Sequence, residues 1–412
     1  MDTSHVNNSD ALAGVKVLDF GWALVGSLCS KMLADFGAEV VKVESALRPC
    51  LSRIDKQVSV SERGNLNDKP WFSHFNSSKL SLQINIKHPR MREVLDPLID
   101  WADVIVENFS PGTMESLGLA YRQIQPKRPD IIMVSGSVFG QSGPYANNWG
   151  VDGTGAALAG RMYMTGWADK DPVTPSVPYG DVVLPHIMVA TVCAALEYKR
   201  QTGEGQHIDA SMYEVCAQQM SESLFNAQVT NAAQQRMGNY RAPTLYQGVY
   251  PCLDTESNSK WIAISFSAKD EWKTFTQLLS DQVLPTAEDL QQLTPEQAAD
   301  LDKTIATWTQ SQERYALMIK LQQQGIAAGV VQDIADTFAN DPQLQHRQYL
   351  QPLVHPILGE FGHQTPPVKL SRTPARLKLA PAMGEHTLKI CKDIIGLSDE
   401  QIQSLQDDDV FQ

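Results

Sequence analysis

The sequence predicts an α/β protein: a large domain built around a doubly wound parallel sheet, accompanied by a smaller α+β domain. Three observations predict it. Over the first half of the chain, short apolar runs that read as buried strands alternate with amphipathic runs that read as helices. After Tyr240 the pattern changes to hairpin-like strands and polar helices. The length, 412 residues, exceeds the size at which one hydrophobic core usually keeps growing.

Taken in order, VKVLDFG (15–21) is a buried strand, 27–36 a helix and EVVKVES (39–45) a second strand, which together form a βαβ unit. The turn at 21–26 carries neither a GxGxxG nor a GK[ST] loop, which argues against a dinucleotide or a nucleoside triphosphate. A ligand still fits there, because open α/β sheets bind at the carboxyl ends of their strands. Residues 48–71 are irregular. KLSLQINI (79–86) is a strand, 88–102 a helix, and DVIVENF (103–109) and DIIMVSGSVFG (130–140) are strands. QSGPYANNWGVDGTGAALAG is a Gly- and Asn-rich loop that turns helical. An apolar helix over 182–200, a short strand QHIDA and a long helix over 211–234 follow. LYQGVYPC and KWIAISF are the hairpin strands of the small domain, and GIAAGVVQD at 325 resumes the style of the large one. The expected divisions are 1–225 for the first part of the large domain, 240–324 for the small domain and 325–412 for a return segment.

A net charge of -13 with no basic patch argues against nucleic acid and against an anionic membrane. An anionic ligand then needs a few placed Lys or Arg side chains and backbone N–H groups. The six cysteines make no CxxC or CxxH spacing, and the nine histidines do not cluster, so neither a disulfide framework nor a metal site is expected. His207 and His386 read as surface or hydrogen-bonded residues. The polar N-terminal stretch has no signal-sequence pattern, and the apolar run at 182–196 is short for a bilayer span, so a soluble cytoplasmic protein is expected.

No GxSxG elbow or nucleophile-type cysteine is present, which leaves carboxylates as candidate reactive groups: Asp181, Asp152 and Glu107. Asp181 stands between Gly180 and the apolar helix that ends at Gly203, and is expected just ahead of its first turn. There it would accept free backbone N–H groups and be kept ionised by the helix dipole. Taken alone, an acid at such a position is more often an N-cap than a catalyst.

VKVLDFG with SKMLADFGAEVVKVES, then VENFSPGTMESLGL, GSVFGQSGPY, YGD before an apolar helix, TGEGQHIDASMYE and the terminal APAMGEHT with IIGLSDEQIQSL resemble the class III coenzyme A transferases, in the same order and over nearly the whole chain. The resemblance implies a large domain formed by both chain ends, an inserted small domain and two interlocked protomers. It implies acyl-CoA and carboxylic acid substrates, with coenzyme A as substrate and no permanently bound cofactor. It makes Asp181 the nucleophile, passing through an aspartyl anhydride and an aspartyl-CoA thioester.

The resemblance also places Trp22, Ala23, Val25, Arg48, Phe75, Lys79, Asn108 and Phe109 against CoA, and Leu24, Trp149, Val151 and Asp152 against the acid. The chain departs from the family at Ser45 and Ser110, where arginines are usual, and at Leu24 and Trp149, where polar side chains are. These changes imply a bulkier and less polar pocket than one for formate or oxalate, and point to aromatic or hydrophobic dicarboxylates such as benzylsuccinate, with succinyl-CoA as donor. Two rivals remain. One is a subunit of a heteromeric transferase. The other is an α-methylacyl-CoA racemase, disfavoured because the histidine position of that branch holds Val151, which cannot carry a proton.

Overall fold

Six strands too short to stand alone pair in parallel in the order β3-β2-β1-β4-β5-β6. They are β1 (Lys16–Asp19), β2 (Glu39–Glu44), β3 (Leu80–Gln83), β4 (Val104–Glu107), β5 (Ile132–Ser137) and β6 (His207–Ser211). The computed structural model describes residues 10–54, 64–240, 244–253, 260–279 and 282–412. Side chains alternate across the sheet as strand geometry requires. Leu18, Val41, Leu82, Ile105 and Met133 enter one core, which Val94, Leu98, Ile390 and Leu405 complete. Val17, Val40, Val104, Ile132 and Val134 enter the other, closed by α1 (Val25–Asp35) and the helix Tyr179–Thr202 through Cys29, Leu33, Leu184, Met188 and Val192. Both faces are thus covered, as an all-parallel sheet demands. β1 pairs with β2 on one side and β4 on the other, so the chain reverses its direction of winding between β1 and β4.

The chain forms two compact units, one of residues 1–162, 174–231 and 345–412, the other of 163–173 and 232–344. The first also holds an antiparallel hairpin, β10 (Leu350–His355) with β11 (Gly359–Gln364). The second is built on an antiparallel sheet of β7 (Tyr246–Pro251), β8 (Trp261–Phe266) and β9 (Ala327–Val331), whose core holds Phe266, Trp272, Phe275, Ile305 and Leu321.

Three local expectations are corrected. The segment at 325 does not rejoin the large sheet at once, because it supplies β9 to the small one. The helix expected over 211–234 breaks into Met212–Gln218 and Ser221–Thr230, with no Gly or Pro to mark the break. The apolar helix begins at Tyr179, inside which Asp181 falls in the first turn, and runs 24 residues. Its length and hydropathy suffice for a bilayer crossing. Within this fold Leu184, Met188, Val192 and Ala195 are instead buried against the sheet and α1.

Candidate active site

A cavity of about 730 Å³ opens at the carboxyl ends of the strands, between the turns that follow β1 and β4. This is where the winding reverses and where sheets of this kind bind ligands. Of the fourteen side chains singled out in the sequence as reactive or ligand-facing, Trp22, Ala23, Leu24, Val25, Arg48, Asn108, Phe109, Val151 and Asp181 line it, and Phe75, Lys79, Glu107, Trp149 and Asp152 do not.

The β1 turn is held by a clasp. Asn108 Oδ1 accepts from the Trp22 backbone N–H at 2.7 Å, and its Nδ2 donates to the Trp22 carbonyl at 2.9 Å. Ala23, one residue on, has φ 55°, a left-handed conformation that costs an alanine energy and persists only where the surroundings impose it. Its N–H points at Cys50 Sγ, 3.2 Å away. Gly26 is required beneath, since a Cβ there would come within 2.6 Å of Asn108 Oδ1. Below the turn, Lys79 is spent on Asp19 Oδ2 (3.0 Å), Asn76 Oδ1 (2.9 Å) and the Ser27 carbonyl (2.8 Å), and Lys42 donates to the Gly21 carbonyl (2.6 Å). Burial, eased by Asp19, pushes the Lys79 ammonium down to about 8. Expected at the nucleotide, Lys79 serves instead as a buried brace for the turn.

At the other end, Asp181 occupies the first turn of its helix, with Tyr179 and Gly180 ahead of it. The expected capping role is not seen. Asp152 takes it, accepting from the Gly180 and Asp181 backbone N–H groups at 2.5 and 3.2 Å through Oδ1. Asp152 is 9% exposed and lies behind Asp181 rather than in the cavity. A Cβ on Gly180 would sit 2.6 Å from that Oδ1, 2.6 Å from Met212 Cγ and 3.1 Å from Cys216 Sγ, so only glycine lets the first turn approach Asp152 this closely. The Arg161 guanidinium stacks 3.7 Å over the Tyr179 ring and braces the helix start. Among the described residues none donates a hydrogen bond to the Asp181 carboxylate. Burial, with the neighbouring Asp152, pushes its carboxyl up to about 6, opposite to the lowering expected from the helix dipole. An ionised, weakly solvated and unpaired carboxylate results at neutral pH, which is what nucleophilic attack requires.

The cavity also has a cationic rim. Arg48 stacks over Trp22 at 5.2 Å, Trp22 Nε1 donates to the Pro49 carbonyl, and Lys87 stands exposed just beyond β3. Lys87 escaped the sequence reading, which chose Lys79 at the amino end of the same strand. The preference of ligands for carboxyl ends was the signal that could have found it. Ser45 and Asn85, also in the lining, are fixed through Gln412 and Val410, whose carbonyls accept from Ser45 Oγ and Asn85 N at 2.8 Å each. With an acyl-CoA as the ligand, as the resemblance implies, replacing Arg48 or Lys87 by alanine is expected to raise KM by about tenfold each, one charge-assisted contact apiece, with little change in kcat. Initial-rate kinetics at low and high salt check this, and the effect should shrink as salt rises.

Phe75 packs edge-on to Trp71 and His74, away from the cavity. Trp149, expected against the acid, is 98% exposed and lies outside the cavity lining. No histidine lines the cavity, and no group of three or more His, Cys, Asp or Glu side chains able to hold a metal occurs among the described residues.

Comparison with known proteins places this geometry. Residues 12–387 match CoA-transferase family III. Succinyl-CoA–D-citramalate CoA-transferase of Chloroflexus aurantiacus is 30% identical, with 96% of each chain covered. The beta subunit of succinyl-CoA–L-malate CoA-transferase from the same organism is 31% identical, again over 96% of each. The crystal structure of a CAIB/BAIF family protein from Brucella suis superposes with a TM-score of 0.81 at 25% identity, covering 94% of this chain and 100% of that one. The cavity at the switch point and the carboxylate at its inner end therefore belong to a CoA-transferase, a member of CoA-transferase family III.

Proposed function

We propose that Asp181 carries CoA from a donor thioester, succinyl-CoA being the foremost, to a carboxylic acid. The carrying observation is the unpaired Asp181 carboxylate in the cavity wall, opposite a rim bearing Arg48 and Lys87. Asp181 attacks the thioester carbonyl and expels the CoA thiolate, leaving a mixed anhydride. The thiolate attacks the aspartyl carbonyl, forming an aspartyl-CoA thioester and releasing the donor acid. The acceptor carboxylate attacks that thioester and expels the thiolate again. Thiolate attack on the acceptor's acyl carbon then yields the new acyl-CoA and restores Asp181. One thioester replaces another, so no energy input is needed, only exclusion of water.

Succinyl-CoA as donor is supported by the names of three relatives, which pair it with D-citramalate, L-malate and glutarate. For the acceptor, Leu24, Val25, Val138, Val151 and Met212 make the lining apolar. This favours an aromatic or hydrophobic dicarboxylate such as benzylsuccinate over formate or oxalate. A panel of acids at equal concentration, with succinyl-CoA as donor, is expected to give formate and oxalate at least tenfold lower rates than a C4–C6 or phenyl-bearing diacid, since a few buried methylene contacts are worth that much. Equal or higher rates with formate would refute the apolar reading.

A second arrangement is favoured by one observation, that a relative of equal similarity is a beta subunit. The active species would then pair this chain with a homologous subunit. Exposed Trp149, Leu224, Phe225 and Val229 support a partner chain of either kind. Activity of the purified chain alone separates the two.

A further inference from the structure

Glu107, at the carboxyl end of β4, is the acid that the transfer chemistry leaves unused. It is 3% exposed, and its Oε2 accepts from the Phe109 backbone N–H at 2.8 Å, which shapes the turn that brings Asn108 and Phe109 into the cavity wall. Strand register sets Glu107 beside Ser135 and Ser135 beside Asp209. The Ser135 hydroxyl hydrogen-bonds to Glu107 and lies 2.9 Å from Nε2 of His207. The His207 ring stacks on Tyr121 at 5.3 Å and belongs to an exposed residue. Asp209, the charged neighbour on β6, accepts from the Gln141 N–H at 2.9 and 3.1 Å.

Carboxyl, hydroxyl and imidazole thus stand in single file from the cavity wall to the surface. A hydroxyl donates and accepts at once, so the file works in two senses. With Glu107 ionised, Ser135 donates to it and accepts from His207 Nε2–H. With Glu107 protonated, Glu107 donates to Ser135, which donates to a bare Nε2. Burial, reinforced by Asp209 and opposed by Ser135 and the Phe109 N–H, pushes the Glu107 carboxyl up to about 7. Burial holds the His207 imidazole below its usual range, against the pull of Asp209.

We propose that Glu107 is a positioning residue of the acyl-CoA cavity that takes up a proton, relayed from solvent through His207 and Ser135, when a polyanion settles against the Asn108–Phe109 turn. The inference rests on the acyl-CoA reading of that cavity. The ligand's charge and the water it displaces both disfavour a second negative charge behind the turn, so binding and protonation of Glu107 reinforce each other. Affinity for coenzyme A therefore falls as pH rises above neutrality.

The test is calorimetric titration of the full chain with coenzyme A, in pairs of buffers that differ in ionisation enthalpy, across a pH series. It is run in an Asp181→Ala background so that the other titrating acid is removed. Glu107→Gln is expected to take up about half a proton fewer per coenzyme A near neutral pH, the ligand's own titration being common to both proteins. Ser135→Ala, which removes a hydrogen bond to the charged form, is expected to move the uptake maximum about one pH unit higher. Equal uptake with and without Glu107, or an unmoved maximum in Ser135→Ala, overturns the proposal, and the second variant decides alone if the first does not fold. Absence of any coenzyme A binding to the unsubstituted chain sinks the acyl-CoA reading itself, and this inference with it.

Discussion

Asp181→Ala is expected to reduce CoA transfer to background while making the protein more stable at neutral pH. The loss follows from the proposed covalent role: without the carboxylate no anhydride or aspartyl thioester forms, and no Ser or Cys in a nucleophile setting stands in. With donor acyl-CoA and no acceptor, borohydride or hydroxylamine should label the peptide containing Asp181 in the unsubstituted protein and nothing in the variant. The gain follows from the raised carboxyl, ordinarily near 3.8 and here about 6. Because the folded state binds this proton more tightly than the unfolded one, stability falls as pH climbs from about 4 to about 6, and the full penalty persists above that. Discounted for partial solvent contact, it is about 1–2 kcal/mol at pH 7 and absent below about pH 4. The variant's melting temperature should therefore exceed that of the parent at neutral pH and converge with it in acid. In the parent, kcat/KM should fall about tenfold per pH unit below about 6, since only the ionised acid attacks. Label elsewhere, or a variant with full activity, excludes Asp181 as nucleophile.

Gly180→Ala is the second large effect, and it acts through position alone. A methyl group within 2.6 Å of both Asp152 Oδ1 and Met212 Cγ must push the first turn of the helix away from Asp152. Overpacking of this kind costs about 1–3 kcal/mol. A displacement near 1 Å of a reacting atom costs on the order of 100-fold in rate. The expected result is a kcat lower by about that factor with KM for acyl-CoA nearly unchanged, because Arg48 and Lys87 belong to other loops. Steady-state kinetics with a melting curve measure both parts. A variant with parental kcat would show that the Gly180–Asp152 contact does not position the Asp181 carboxylate.

The large sheet was legible because its strands are short, apolar and separated by helices of opposite periodicity, so VKVLDFG, EVVKVES and DVIVENF each fell on an observed strand. The setting of Asp181 marked it only as a candidate that could equally be an N-cap, the resemblance singled it out, and its environment was not legible at all. Nothing in YGD reveals that Asp152, 29 residues earlier, reaches back to cap the helix and raises the acid beside it. The lysines divide on the same line. Lys79 and Lys87 flank one strand and look alike in sequence, yet a network of Asp19, Asn76 and the Ser27 carbonyl buries the first, a set of contacts that only tertiary structure assembles. Trp149, set against the acid by the resemblance, faces solvent within its own chain.

Under the proposed function, the way the cavity wall is divided between two stretches of chain makes part of its specificity portable. Arg48, Lys87, Asn108 and Phe109 come from segments between β1 and β5, whereas Val138, Val151, Asp181 and Met212 come from the end of β5 onward. The Asn108–Trp22 clasp locks the first group without using any residue of the second. Under the proposed function, a relative's stretch over 136–216 grafted onto this chain as a cassette would bring its own versions of Val138, Val151 and Met212, while Leu24, Val25 and the host's grip on the common carrier stay in place.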